Sequence, residues 1–247
     1  AERRQEFLRL CRRSSAIFRK YQDAAGGHIL YTTLAPEVPG VPELIPQLAD
    51  MGITVAIGHS GAGYELSMAC VKAGAKAATH VGNAMRLFHQ HEPAIFGVAL
   101  ETDIYAETIC DGRHLVPGTV RLYLKAKGWD RILGITDSIM AAGLPDGKYK
   151  LGVNDVVVVD GDAKLATTGV RAGSTLTQVQ ALRNFMKFTG APIEDASKAM
   201  TKNPADLFEM HDRGHIAAGM RGDLVLLDQK LEVVRTYVGG RNVYSRT

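Results

Sequence analysis

The chain has 247 residues, 46% hydrophobic and 22% charged, the balance of a folded globule with a real core rather than a disordered chain. Its 29 basic and 26 acidic side chains leave a net charge of +3, too small and too dispersed for a nucleic-acid surface. No apolar run of about 18 residues is present to span a membrane, and no basic-apolar-small leader opens the chain. The three cysteines, Cys11, Cys70 and Cys110, lie far apart with no Cys-x-x-Cys spacing. They read as buried thiols of a reducing, cytoplasmic setting.

Apolar positions Phe7, Leu10, Cys11, Ile17, Phe18 and Tyr21 recur at helical spacing and predict a helix over residues 3–21. Its other face carries Arg3, Arg4, Arg9, Arg12, Arg13 and Arg19, which reads as a solvated surface in preference to a phosphate-binding face. From His28 onward, strands and helices alternate. A strand over 28–34 runs into Ala35-Pro36-Glu37, and a helix over 42–51 is closed by Gly52. A strand over 53–58 ends at His59-Ser60, a helix over 64–73 is followed by Gly74, and a strand over 75–79 ends at His80. A strand over 105–110 exits through Asp111-Gly112-Arg113-His114. After a helix over 118–127, a strand over 131–136 runs into Asp137.

This alternation predicts βαβ units, a parallel sheet and an α/β fold of the (β/α)8 TIM type. In such barrels the chemistry sits where strands end and loops begin. Here the five exits carry Glu37, His59, His80, His114 and Asp137. Each alone reads as structural, but together they point to a site. Beyond Asp137 the alternation stops. Strands with turns at Gly152, Asn154 and Asp160-Gly161-Asp162 fill 147–166, helices cover 175–188, 193–200 and 204–210, and the tail over 215–244 is β-structure. About five of the eight strands of a closed barrel are thus present, and the chain does not open with Met. An incomplete barrel, the C-terminal two-thirds of a longer protein, is the expectation.

His59 and His80 stand one βα unit apart, so parallel neighbours put both on one rim, where two neutral imidazoles suit a divalent metal. Either alone reads as a hydrogen-bonded core histidine. Asp137 is the natural base beside such a metal, and reads equally as a turn or cap carboxylate. His114, after its Asp111-Gly112 turn, either holds substrate or caps the loop. Asn83 can present its amide to a ligand. Gly173-Ser174-Thr175 either opens a helix onto an anion or is a plain helix cap.

Seven motifs follow one another in order: TTLAPE (Thr32–Glu37), GHS (Gly58–Ser60), THVGNAM (Thr79–Met85), CDGRH (Cys110–His114), ITDSIMAAG (Ile135–Gly143), NPA (Asn203–Ala205) and IAAGMRGDLVLLD (Ile216–Asp228). Over nearly the whole chain they resemble the N-acetylglucosamine-6-phosphate deacetylases of the amidohydrolase superfamily. The resemblance implies a cytoplasmic, homodimeric barrel hydrolase that removes acetate from a phosphorylated amino sugar with one divalent metal ion, zinc or iron. No nucleic-acid or membrane partner is implied. By the same resemblance His59 and His80 are metal ligands and Asp137 is the catalytic acid/base. His114 contacts the sugar phosphate region or the ring, Asn83 and Ala84 offer main-chain contacts to phosphate, and Arg171, Ala172 and Gly173 line the substrate. It also implies a partial barrel over 1–213 with a β-hairpin insertion near 147–166, and the C-terminal part of a small β-sandwich over 214–247.

Two departures stand out. The third metal ligand of these enzymes is a glutamate in a His-Leu-Glu-Gly-Pro motif on an earlier strand, and these 247 residues hold no such motif. Glu37 belongs to the separate Leu-Ala-Pro-Glu strand end and reads as structural. His91 stands in the substrate-binding position where the resemblance expects an Arg before Glu-Pro, and imidazole does not reproduce a bidentate guanidinium–phosphate contact. The alternatives are an amidohydrolase acting on another N-acyl substrate, or an inactive chain lacking the metal-binding glutamate.

Overall fold

The computed structural model describes residues 14–246. The first part of the predicted N-terminal helix, with Phe7, Leu10, Cys11 and Arg3 to Arg13, lies outside the described residues. What is described is helix α1, Ser14–Ala24, with Ile17 and Phe18 half-buried and Arg19 exposed. The chain divides into two compact units, residues 1–107 and 108–247.

In the first unit the expected alternation is present. Strand β1 (Tyr31–Leu34) leads to helix α2 (Val41–Ala49), β2 (Thr54–Ile57), α3 (Tyr64–Lys72), β3 (Ala77–Ala78), α4 (Ala94–Glu101) and β4 (Tyr105–Ile109), which crosses the division. The pairs β1–β2, β2–β3 and β3–β4 are all parallel, with Thr33 opposite Ala56, Ile57 opposite Ala78 and Ala78 opposite Ala106. Val55, Ala56 and Ile57 are successive and all buried, as in a parallel sheet covered on both faces. Helix α2 buries Val41, Leu44, Ile45 and Leu48, a stripe at helical spacing. The regular ladder of β3 is only two residues long, although Lys76 N–H still donates to Val55 O and Thr79 N–H to Ile57 O, each at 2.9 Å.

Helix α4 is absent from the sequence reading for a physical reason. Ala94, Ile95, Gly97, Val98 and Ala99 are all buried, so the segment has apolar residues on too many sides to show an amphipathic period.

The sheet curls. Tyr31 on β1 and Glu107 on β4 are hydrogen-bonded at 2.5 Å, yet in a flat sheet three strand spacings would separate their backbones by about 14 Å. Thr33 and Thr79 likewise meet at 2.7 Å across β2. The residue between them is Gly58, where an added Cβ would lie 2.7 Å from Thr79 Cβ and 3.2 Å from Thr33 Cγ2. Such curvature is that of a barrel wall.

In the second unit, α5 (Pro117–Lys127) and a 3-10 turn (Trp129–Arg131) lead into β5 (Ile132–Ile135), the neighbour of β4 in a five-stranded sheet of order β1-β2-β3-β4-β5. This is the α/β, TIM-type wall expected from the alternation, with five of its strands. The insertion is a three-stranded antiparallel meander rather than a hairpin: β6 (Gly147–Leu151), β7 (Asn154–Val159) and β8 (Asp162–Leu165). It is held by a small core of Ile139, Ala141, Val156, Val158, Ala163 and Ala172. Helices α6 (Gln178–Thr189), α7 (Ile193–Ala196) and α8 (Lys202–Leu207) follow. Asn203 of the Asn-Pro-Ala motif is 1% exposed and donates to Trp129 O at 2.6 Å and Ile132 O at 2.7 Å, tying α8 to the start of β5. The tail forms an antiparallel sheet of β9 (Leu224–Leu227), β10 (Val233–Val238) and β11 (Arg241–Ser245), order β11-β10-β9, with no strand residue fully buried.

Because both neighbours of Gly58 are β-branched side chains with no flexible end to give way, Gly58→Ala is expected to destabilise the fold by about 1–3 kcal/mol. Urea denaturation monitored by circular dichroism tests this; an unchanged midpoint would contradict the packing described.

Candidate active site

The exits of β2 and β3 carry the two histidines, and both leave the strand in the left-handed region, His59 at φ 48° and His80 at φ 31°. Their Nε2 atoms converge to 2.8 Å, with ring centroids 4.6 Å apart and planes crossing at 70°. At that distance the two Nε2 atoms are hydrogen-bonded to each other, and the pair offers two of the imidazole donors that a divalent cation uses. Among the described residues, no group of three or more His, Cys, Asp or Glu side chains is placed to hold a metal.

Glutamates hold the backbone around both rings. After His59, Ser60 Oγ donates to Glu37 Oε2 at 2.6 Å and Gly61 N–H to Glu37 Oε1 at 2.9 Å. Glu37 is thus a loop cap, as its sequence context suggested. At the β3 exit, His80 N–H donates to Glu107 Oε2 at 3.0 Å and Val81 N–H to Glu107 O at 2.9 Å. Burial, with the Glu107 charge beside it, pushes the Tyr31 hydroxyl far above its ordinary value. Sequence reasoning missed both Tyr31 and Glu107. A tyrosine and a glutamate in a short strand give no signal until the sheet curls.

Asn83 and Ala84 follow in the turn closed by Asn83 N–H donating to His80 O at 2.9 Å, and Ala84 is left-handed at φ 44°. Asn83 Nδ2 is buried without a hydrogen-bond partner among the described residues, an amide donor available to a ligand. His91 is exposed and its ring lies 5.4 Å from that of His89. Next to it, Glu92 accepts from Tyr64 N–H at 2.7 Å and Ala94 N–H at 3.1 Å, capping α3 and α4.

The remaining sequence-derived residues lie in the second unit. Asp137 is exposed and left-handed, φ 50°. Its carbonyl accepts from Ser174 N–H at 2.7 Å, and Ile139 N–H donates to Ser174 O at 2.9 Å. Gly173 (φ 62°) packs so closely that a Cβ there would lie 2.9 Å from Asp137 O and 2.5 Å from Ile139 Cγ2. The Gly173-Ser174-Thr175 stretch is therefore neither helix start nor helix cap. Helix α6 begins at Gln178, and its cap is Thr177, whose side chain accepts from Gln180 N–H at 3.3 Å.

A cleft of about 490 Å³ in this unit is lined by Asp111, Arg113, His114, Asp162, Arg171 and Gly173 among others. Asp111 takes the amides of Arg113 and His114 at 2.8 and 2.7 Å and the His114 Nδ1 at 2.6 Å. Burial pushes the Asp111 carboxyl up, but these hydrogen bonds outweigh it and hold the group below its ordinary value. With Nδ1 committed to that carboxylate, His114 presents Nε2 as its remaining polar atom.

Arg171 holds Asp162 in a bidentate pair, Nε to Oδ1 at 2.8 Å and Nη2 to Oδ2 at 3.1 Å, while its Nη1 donates to Arg113 O at 3.2 Å. All three guanidinium nitrogens are thus engaged within the protein. Ala172 is buried in the core of the insertion, and its N–H donates to Ala163 O at 3.0 Å. Burial raises the Cys70 thiol to about 12 and pushes Cys110 higher still, so both are inert.

The amidohydrolase family matches residues 2–243, and the chain belongs to that family. Among curated relatives, the N-acetylglucosamine-6-phosphate deacetylase of Lysinibacillus sphaericus is 37% identical over 226 residues, covering 91% of this chain and 58% of that protein. Among solved structures, N-acetylglucosamine-6-phosphate deacetylase from Thermotoga maritima is 42% identical with a TM-score of 0.85, covering 88% of this chain and 60% of its own. A mutant of the Mycobacterium smegmatis enzyme, in complex with N-acetyl-D-glucosamine-6-phosphate, is 34% identical with a TM-score of 0.89, covering 94% and 62%. The chain thus spans about three-fifths of the length of these relatives.

The Asp162 cluster makes a pH prediction. Hydrogen bonds from Arg171, opposed by burial and helped by Lys164, lower its carboxyl from 3.8 to about 2. A depressed folded-state value means the unfolded chain binds more protons in this window, so the stabilisation is present above the unfolded value and is lost as pH falls toward 2. Asp162→Asn is expected to be less stable than wild type at pH 6, with the gap closing between about pH 4 and pH 2. Thermal melts across that range check it; a gap independent of pH would contradict the assignment.

Proposed function

We propose that this chain carries metal-binding and acid–base residues of an enzyme that hydrolyses the N-acetyl group of N-acetylglucosamine 6-phosphate, releasing glucosamine 6-phosphate and acetate. The observation that carries this reading is the convergence of His59 Nε2 and His80 Nε2 at 2.8 Å on left-handed strand exits, in a chain similar to deacetylases of that substrate. A divalent ion held by His59 and His80, zinc or iron in this reading, would supply a Lewis acid for the acetyl carbonyl and lower the pKa of water.

Asp137 takes the proton of the attacking water as the new C–O bond forms. It returns that proton to nitrogen as the C–N bond breaks. His114, oriented by Asp111, contacts the sugar through Nε2. Asn83 and Ala84 meet the phosphate end, a role supported by the buried Asn83 Nδ2, which has no partner among the described residues. Gly173 shapes the cleft wall and supports the Asp137 loop. The reading also carries a homodimeric, cytoplasmic protein, with a partial barrel over 1–213 and part of a small β-sandwich over 214–247.

A second reading, the same chemistry on another N-acyl substrate, is favoured by Arg171. Its donors are spent on Asp162 and Arg113, so it does not replace the charge missing at His91. Comparing phosphorylated with unphosphorylated N-acetylglucosamine in the whole protein separates the two. A kcat/KM that does not depend on the phosphate supports the second reading and overturns the first.

Two further outcomes are expected. Asparagine tolerates left-handed φ better than most residues, so Asp137→Asn should keep the fold while lowering turnover of the whole protein by ~10²–10⁴-fold. Turnover near the wild-type rate would refute the assigned role. Catalytic zinc sites use three protein ligands, so the 247-residue chain with its two imidazoles should release zinc readily to a chelator. Stoichiometric metal that resists EDTA, measured by elemental analysis, would overturn that expectation.

A further inference from the structure

We propose that Glu107 is a positioning residue that aims His80, and that Tyr31 is the strut that keeps Glu107 in place. The inference rests on the reading of His59 and His80 as a metal pair and goes beyond it, because neither Glu107 nor Tyr31 belongs to that pair or to the substrate contacts.

His80 needs such a hold. The β3 ladder ends at Ala78, two residues before it, and His80 then adopts φ 31°. A non-glycine residue in that region persists only where its surroundings over-determine it. Glu107 supplies two acceptors to two successive amides, its side chain to His80 N–H and its carbonyl to Val81 N–H. The backbone is therefore gripped on the residue whose ring must point at His59 and on the next one.

Glu107 is only 6% exposed, and burying a charge is costly unless hydrogen bonds compensate it. An apolar side chain would fill the same space at lower cost, so the carboxylate has to be accounted for by what it holds. Its Oε2 accepts from His80 N–H at 3.0 Å while its Oε1 accepts from Tyr31 O–H at 2.5 Å. With each oxygen tied to a different strand region, the group cannot swing about its terminal torsion, and the direction of the His80 amide is set by β1 as well as by β4. The His59 side has a separate clamp, Glu37 on Ser60 and Gly61, so the two strand exits have separate anchors while their rings meet at Nε2.

The test is zinc titration by calorimetry on the 247-residue chain, together with amide hydrogen exchange at His80 in metal-free protein. His59→Ala is the control for the metal pair and should abolish the zinc isotherm. Glu107→Leu should weaken zinc binding ~10–100-fold, the range seen when partners behind a metal ligand are removed, and should speed exchange at His80 relative to Ala56 in the core of β2. Glu107→Gln keeps an oxygen for His80 N–H and an amide group for Tyr31, so it should restore both readouts close to wild type. Tyr31→Phe should fall between the two.

Zinc affinity and His80 exchange that are unchanged in Glu107→Leu would overturn the proposal. Should that variant not fold, unchanged values in Tyr31→Phe would do so. A folded Glu107→Gln that behaves like the leucine variant would overturn it too, because the hold would then not be a hydrogen-bonded one. If His59→Ala leaves the isotherm intact, the metal pair fails instead, and the exchange measurement alone decides the role of Glu107.

Discussion

Left-handed backbone at the strand exits is the constraint on which the candidate site depends. His59, His80 and Asp137 each leave a strand with positive φ, at 48°, 31° and 50°. Non-glycine residues pay roughly 1–3 kcal/mol each for that conformation. Continuing as extended strand would keep each side chain in the in-and-out alternation of its sheet. The left-handed step breaks the alternation. At the two histidines, the result is a pair of rings with converging nitrogens instead of side chains directed by the pleat.

Much of the polar chemistry near the exits compensates that cost. Glu37 caps the loop after His59, Glu107 takes the amide of His80, and Ser174 takes the carbonyl of Asp137. Gly173 is small because the Asp137 carbonyl and Ile139 leave no room for a Cβ. Similarly, Gly58 is small because Thr33 and Thr79 close over it as the sheet curls. Curvature and site geometry are therefore linked. The curl that brings Thr33 to Thr79 also brings Tyr31 to Glu107, which strand pairing already sets beside His80.

This linkage explains what the sequence shows and what it hides. Short apolar runs alternating with helices place Glu37, His59, His80 and Asp137 at strand exits, where the structure has them, because period and turn signals are local. Left-handed φ is hidden at His59 and His80, since the residues that advertise it are Gly and Asn. The early start assigned to α6 came from Ser174 and Thr175, good caps in isolation, whose side chains are instead committed to Thr136 O and Gly161 O. Arg171 looks in the sequence like spare charge; only its bidentate pair with Asp162 reveals that it staples β8 to the loop after β4. Partnerships between distant residues are what a linear reading lacks.

Those partnerships also bear on the proton carrier proposed above. A general base must have a carboxylate or imidazole free to accept a proton from the reacting group. Glu37 is bonded to Ser60 and Gly61, Glu92 to Tyr64 and Ala94, and Glu107 to Tyr31 and His80. Asp111 is committed to His114, and Asp162 to Arg171 and Lys164. Protonating any of these would break hydrogen bonds on which a loop or a ring orientation depends. Asp137 differs: its carbonyl is tied down by Ser174, while its exposed side chain is engaged in no hydrogen bond or ion pair among the described residues. A fixed backbone with an uncommitted carboxylate is what repeated proton transfer requires. The acidic groups named here hold loops and ring orientations, whereas the Asp137 carboxylate is uncommitted among the described residues, which suits the role proposed for it.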